Sequence, residues 1–326
     1  MSFNEIKEFL QPGLQEVNAL MDQALRSDVS LLDSTNASLR SHKGKMMRPM
    51  LTLLTAGAVG SANEDTCRYA AAVELLHNAT LLHDDVVDKA GERRGLPTVY
   101  NLLGGGPAVL MGDYWLVKSL KLIMGSREGW ARVLDLFAGT LGHLTEGELL
   151  QMEKASKADT TEDDYLRIIY GKTASLFETA ALSGAISAKA DEAVIQALGA
   201  FGRNIGTAFQ IKDDIMDYAT SQEALGKPVG IDLLEQKITQ PLLCALEEVS
   251  PDEALRIRGI VAGISDNPAS AEEVKSFVQH HHGVEKAVEV MEKYLKNAVS
   301  CLDVLEESEE KSYLSELASF VGQRNL

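Results

Sequence analysis

Proline is scarce in this chain, eight in 326 residues, and aromatic side chains make up only 6%. Few prolines leave long helices uninterrupted. With 45% hydrophobic residues and so few aromatics, the core must be mostly Leu, Ala, Val and Ile, so an all-α fold is expected. Cysteine is scarce as well. Cys67, Cys244 and Cys301 are odd in number and far apart, with no CxxC or Cys/His spacing. That excludes a disulfide framework and a zinc site, and reads as reduced thiols in a cytoplasmic protein. Positive charge is short: 31 Lys and Arg stand against 48 Asp and Glu, a net charge of −17. Nucleic acid and anionic membrane surfaces are thereby excluded as main partners. A small anionic substrate is not, because bound cations and local Lys or Arg reverse the field inside a cleft. No window reaches 18 apolar residues, so no membrane span is expected. The opening MSFNEIKEFLQPGL has neither a basic region nor an apolar run, so no secretory leader is expected. No β-rich stretch, short repeat or linker breaks the chain, and residues 1–326 are expected to form a single domain.

What the chain does have is clustered acid. Residues 81–95 read LLHDDVVDKAGERRG, with Asp84, Asp85 and Asp88 beside Arg93 and Arg94. The preceding AAAVELLHNATLL favours helix. At about 100° per residue, Asp84 and Asp88 share one face and Asp85 stands to the side. Like charges one turn apart cost a few tenths of a kcal/mol, a conflict that a divalent cation removes. QIKDDIMDY repeats the device with Asp213, Asp214 and Asp217. If the two helices face each other, they form two acidic rims across a gap. Mg²⁺ is normally held by one or two carboxylates plus waters and substrate phosphates. Two DDxxD sets inside apolar helices therefore look like a clamp for a metal-bound diphosphate, where one alone would read as a solvated acidic face.

Residues 2–28 show helical spacing, split or kinked at Pro12-Gly13, and a polar loop is expected from there to about Lys43. KGKMMRP places Lys45 and Arg48 near a helix start, where the dipole disfavours cations unless an anion lies between them. His77 lies two turns before Asp84 on nearly the same face, a position more often filled by a core histidine than a ligand. GGGP (104–107) follows no strand and precedes no Lys-Ser/Thr, which rejects a Walker loop. Asp113 and Glu148 interrupt apolar faces, either as supporting acids or merely exposed. Lys172 and Thr173 sit amid apolar residues, where a lysine must reach solvent or an anion. EALGKPVGIDLLEQKITQPLL (223–243) reads as a loop with Lys227 and Lys237, closing into a helix near Pro241. The three histidines at 280–282 point in different directions on a helix and cannot all face one metal.

These residues together resemble the trans-prenyl diphosphate synthases. LLHDDVVDKAGERRG is similar to that family's first aspartate-rich motif and QIKDDIMDY to its second, followed by GKPVGIDL. KGKMMRP resembles the upstream Gly-Lys-x-x-Arg-Pro element and GKTASLF the mid-chain Lys-Thr. Lys43, Met46, Gln236 and Gln240 depart from the family's common Gly, Arg, Gly and Leu. The resemblance implies a helical bundle around a deep central cavity, usually in a homodimer, and three Mg²⁺ between the acidic rims and an allylic diphosphate. Asp84, Asp88 and Asp213 would be the main ligands, with Asp85, Asp214 and Asp217 binding directly or through water. Arg93, Lys172, Thr173, Gln210, Lys227 and Lys237 would hold the allylic diphosphate. Lys45, Arg48, His77 and Arg94 would hold isopentenyl diphosphate.

The chemistry implied is ionisation of the allylic diphosphate, attack by the isopentenyl double bond, and proton loss to the departed diphosphate. Cavity depth would set product length. Short-chain members often carry aromatics at the fourth or fifth position before the first Asp; here those are Thr80 and Ala79. They lie roughly 6–8 Å below the metals, with Thr80 on the Asp84 face. Small groups there predict elongation past fifteen carbons, with a floor from Leu120, Ile123 or Met124. Phe at either position is expected to shorten the product. The rivals are a twenty-carbon synthase of the same fold, a class I terpene cyclase, a phosphohydrolase built on His77 and His83-Asp84, and a subunit of a two-chain synthase. In the last case the intact aspartates make this chain the catalytic one.

Overall fold

A computed structural model describes residues 3–41, 44–93, 95–219 and 230–323. Helices dominate throughout, and among the described residues the only sheet is a hairpin of two two-residue strands. In chain order these are α1 (Phe3–Phe9), α2 (Gln11–Ala24), α3 (Ser30–Ser41), α4 (Met47–Val59) and α5 (Glu64–Val87). The hairpin β1 (Glu92–Arg93) and β2 (Leu96–Pro97) follows, then α6 (Val99–Leu103), α7 (Gly105–Met124), α8 (Trp130–Lys157) and α9 (Glu162–Ile169). A π-helical turn, Tyr170–Ala174, leads into α10 (Ser175–Ser187) and α11 (Glu192–Ala219). After the undescribed stretch come α12 (Ile231–Leu234), α13 (Gln240–Leu246), α14 (Pro251–Ala262), α15 (Ala271–His280), α16 (Gly283–Cys301) and α17 (Glu309–Gln323). The described helices include none long and apolar enough to cross a membrane.

The residues gather into two compact units: 1–138, 179–199 and 304–314 in the first, and 139–178, 200–303 and 315–326 in the second. In the first unit, Pro12 occupies the opening turn of α2, so the chain breaks between α1 and α2 as its Pro-Gly pair predicts. Ile6, Val17 and Met21 of these helices are fully buried. The loop expected up to Lys43 is instead largely helix, α3. Its Ser-rich sequence has little intrinsic helicity. Tertiary bonds hold it: the buried Asn36 donates to the Leu25 carbonyl at 2.8 Å and accepts from the Trp115 indole at 2.8 Å, while Arg40 pairs with Asp22 at 2.8 Å. Helix α5 starts on a capping box between Asn63 and Thr66 and ends with Lys89 in the left-handed region, the Ala90 N–H closing on the Asp85 carbonyl.

In the second unit, α9 opens on a capping box, Thr161 bonding the Asp164 N–H and Asp164 the Thr161 N–H. Lys154 pairs with Asp164 at 2.8 Å, and this bond foremost holds its carboxyl down at about 2. A depressed acid stabilises the fold above its usual range and loses that contribution as pH falls toward its folded value. Thr161→Ala is therefore expected to cost about 1 kcal/mol at neutral pH. Urea melts should also show the Asp164 contribution fading between about pH 4 and pH 2; a flat profile there would contradict it.

Candidate functional site

Both acidic motifs lie at the C-terminal ends of long helices. Asp84 and Asp85 are in the last turn of the 24-residue α5 and Asp88 caps it, with no basic residue in that turn. Asp213, Asp214 and Asp217 occupy the closing turns of the 28-residue α11, again with no basic residue in the last turn. A helix C-terminus carries a partial negative charge, so carboxylates there are disfavoured and cations favoured. Each motif thus concentrates negative potential at a helix end, which a stability-driven sequence would avoid.

The six carboxylates divide by what they touch. Asp85 is 4% exposed and accepts from Arg93 Nε at 2.7 Å. Arg93 comes from β1, so the hairpin delivers it to the end of α5. The pair lines a cavity of about 190 Å³ in the first unit, otherwise walled largely by Leu39, Leu81, Leu82, Val99 and Trp115. Asp214 is 3% exposed, accepting the Tyr165 hydroxyl at 2.6 Å and the Gln210 amide at 2.9 Å. Burial first, and then the Asp232 charge, pushes its carboxyl well above the usual range. Asp217 accepts the backbone N–H groups of Gly230, Ile231 and Asp232 at 3.1, 3.3 and 3.2 Å, tying the end of α11 to the start of α12. Asp84 and Asp213 are half-buried and Asp88 is exposed.

Cations and polar groups gather around each motif. In the first unit Lys45 and Arg48 flank the start of α4, as the sequence predicts, and His77 is half-buried on α5. In the second unit the π turn carries Lys172 and Thr173. Such turns recur at functional positions because the extra residue re-aims its side chains. Nothing in the sequence marks it. Gly171 permits it: a Cβ there would meet the His143 carbonyl oxygen at 2.5 Å. Lys172 pairs with Glu148 at 2.6 Å, which gives that interrupting acid its role; Asp113 by contrast is largely exposed beside His83 at 3.3 Å. Thr173 donates to Gln210 Oε1 at 2.7 Å. Lys172, Gln210, Asp214, Asp232, Lys237 and Tyr165 line one cavity of about 200 Å³. Lys237 pairs with Glu235 and lies 3.6 Å from Asp232, whose carboxyl burial pushes up. Gln236, where a glycine is common, is held in the left-handed region and donates its amide to the Ala262 carbonyl. Arg94 and Lys227 lie outside the described residues.

Of the chain-length candidates, Thr80 is half-buried and its hydroxyl bonds back to the His77 carbonyl at 2.8 Å, whereas Ala79 is 1% exposed. Ile123 is fully buried, but Met124 is 60% exposed and does not suit a cavity floor.

The donor set is all carboxylate oxygen, which suits a hard cation such as Mg²⁺ or Ca²⁺ rather than zinc. Among the described residues no three His, Cys, Asp or Glu side chains converge on a ready metal cage. A cation here would take the rest of its coordination from water or a bound phosphate.

A model of the polyprenyl synthetase family matches residues 29–280. The chain belongs to the polyprenyl synthetase family. It is 36% identical over 325 residues to the octaprenyl diphosphate synthase of Haemophilus influenzae, covering 100% of this chain and 98% of that protein. A decaprenyl diphosphate synthase from Rhodobacter capsulatus has the same fold at TM-score 0.90 and 33% identity, over 99% of both chains. A polyprenyl synthase from Caulobacter crescentus, crystallised with calcium and isoprenyl diphosphate, matches at TM-score 0.90 and 32% identity, over 99% of this chain and 98% of that one. The expected all-α isoprenoid synthase fold is therefore found, and this polyprenyl synthetase is a prenyltransferase by family.

Proposed function

We propose that this polyprenyl synthetase condenses isopentenyl diphosphate head-to-tail onto an allylic diphosphate, with Mg²⁺, to build an all-trans chain longer than fifteen carbons. The placement of two carboxylate triads at the C-terminal ends of α5 and α11 carries the reading. Three Mg²⁺ would be held there, with Asp84, Asp88 and Asp213 as the main protein ligands and Asp85, Asp214 and Asp217 reached through water. Bound metal would supply charge neutralisation of the leaving diphosphate, the largest electrostatic demand of the ionisation. Lys172, Gln210 and Lys237, with Arg93, Thr173 and Lys227, hold and orient the allylic diphosphate. Lys45, Arg48, His77 and Arg94 hold isopentenyl diphosphate. Water must be kept from the allylic cation, which the Leu- and Ala-rich interior serves. No side chain is assigned as base; the released diphosphate takes the proton.

The chain acts in the cytoplasm as a homodimer. Supporting the dimer, Leu110, Val117 and Met124 are 70%, 49% and 60% exposed and lie seven residues apart, on one face of α7. Leu102, 65% exposed on α6, adds to the apolar area. A second copy of the same stripe buries such a face by two-fold symmetry. Leu110→Lys with Val117→Lys should yield a monomer in sedimentation; an unchanged mass would exclude this face.

The reaction is tested with labelled isopentenyl diphosphate and farnesyl diphosphate. Acid-labile label extractable into hydrocarbon, requiring Mg²⁺ and abolished by chelator, is expected. Phosphate release without chain growth would instead favour a phosphohydrolase. Turnover of the allylic substrate alone would favour a cyclase. Product sizing separates chains above twenty carbons from a twenty-carbon end product.

A further inference from the structure

Tyr165 has no part in the motifs, yet it is 3% exposed and its hydroxyl is spent on one acceptor, Asp214 Oδ2, at 2.6 Å. The bond starts a chain across three elements. Asp214 Oδ1 accepts Gln210 Nε2 at 2.9 Å, and Gln210 Oε1 accepts the Thr173 hydroxyl at 2.7 Å. Tyr165 stands on α9, Thr173 on the π turn, and Gln210 and Asp214 on α11. Both Asp214 oxygens are thus taken by protein donors.

We infer that Tyr165 is a positioning residue for the allylic diphosphate, acting through Asp214 on Gln210 and Thr173. The inference rests on the proposed role of Lys172, Thr173 and Gln210. The physical reason is the two-fold ambiguity of a side-chain amide. Gln210 has nearly the same shape in either orientation, but Asp214 Oδ1, which accepts from it at 2.9 Å, admits only its N–H side. Asp214 therefore fixes which end of Gln210 faces Thr173, and it leaves the second Nε2 hydrogen for a ligand in the cavity that Gln210 shares with Lys172 and Lys237. Asp214 can do this only while its own carboxylate is held from rotating, and the Tyr165 hydroxyl holds the other oxygen. Without it a buried carboxylate oxygen loses its partner, and Asp214 and Gln210 both gain alternative orientations.

Tyr165→Phe removes the hydroxyl and keeps the ring. Steady-state kinetics of the full-length enzyme should show KM for farnesyl diphosphate raised about tenfold, the loss of roughly one hydrogen bond. KM for isopentenyl diphosphate and the Mg²⁺ concentration for half-activation should stay put. A purely structural tyrosine would lower the melting temperature and the active fraction while leaving all three constants alone, and that result overturns the inference. Asp214→Asn gives an independent arm should the tyrosine variant fail to fold. An Asn there presents an N–H where Oδ1 or Oδ2 accepted, so it should reproduce the farnesyl KM rise with metal dependence unchanged. A raised Mg²⁺ requirement would make Asp214 a metal ligand and overturn it. A wild-type enzyme inactive with both diphosphates removes the reading on which the inference rests, and the inference with it.

Discussion

Asp84→Asn or Asp213→Asn lowers kcat for prenyl transfer by about 10²–10³-fold or more, with a raised Mg²⁺ requirement. One preorganised charge contact in a transition state is worth that much. On the proposed function these two are main metal ligands, whereas Asp85 and Asp214 are buried and Asp217 anchors the start of α12. Asp85 is committed to Arg93, Asp214 to Tyr165 and Gln210, and Asp217 to three backbone N–H groups. Asp85→Asn should therefore act through Arg93, raising KM for the allylic diphosphate with little change in metal requirement. Asp217→Asn should loosen the start of α12. Metal titrations of the Asn variants check the division. Equal Mg²⁺ shifts at Asp84 and Asp85 would show that burial does not decide which carboxylates ligate.

Thr80→Phe shortens the product by one or more isoprene units without loss of turnover on the shortest primer. Thr80 is one turn before Asp84, about 6 Å along the helix. An aromatic ring on that face meets the growing chain, and overpacking costs about 1–3 kcal/mol, enough to slow the blocked elongation step about 10–100-fold. Ala79→Phe behaves differently from what the sequence alone suggests. Ala79 is 1% exposed, so a ring there must displace buried neighbours, and lost stability is expected beside any shortening of the product. Product chromatography and melting curves of both variants separate the two outcomes. An unchanged product with Thr80→Phe would place the wall elsewhere.

How much was legible follows from the physics of each element. The helices α5, α8 and α11 could be read because apolar residues recur at helical spacing without Pro, and α7 because its one proline, Pro107, lies in the first turn. The break at Pro12 and the start of α13 at Pro241 could be read because proline suits only the first helical turn. Helix α3 could not, since bonds from Asn36 to Leu25 and Trp115, distant in sequence, outweigh its weak propensity. The acidic motifs stood out by spacing, but their division did not. Which carboxylate of a DDxxD is buried depends on what packs beside the helix, and Arg93 and Tyr165 arrive from separate elements. Tyr165 itself reads as core, one aromatic in the amphipathic α9. The π turn is invisible because its residues, YGKTA, have no distinct propensity; only the close approach of Gly171 to the His143 carbonyl hints at it.

On the proposed function, Asp84, Asp88 and Asp213 hold divalent metal against an allylic diphosphate. Crystals of the protein with Mn²⁺ and a non-ionisable thio-analogue of farnesyl diphosphate, read by anomalous scattering, test it most directly. Peaks are expected within bonding distance of those three carboxylates and the analogue's diphosphate oxygens, with Asp85 and Asp214 keeping their Arg93 and Tyr165 partners. Manganese bound through Asp85 and Asp214 instead, or a diphosphate seated with no metal at either helix end, would contradict it.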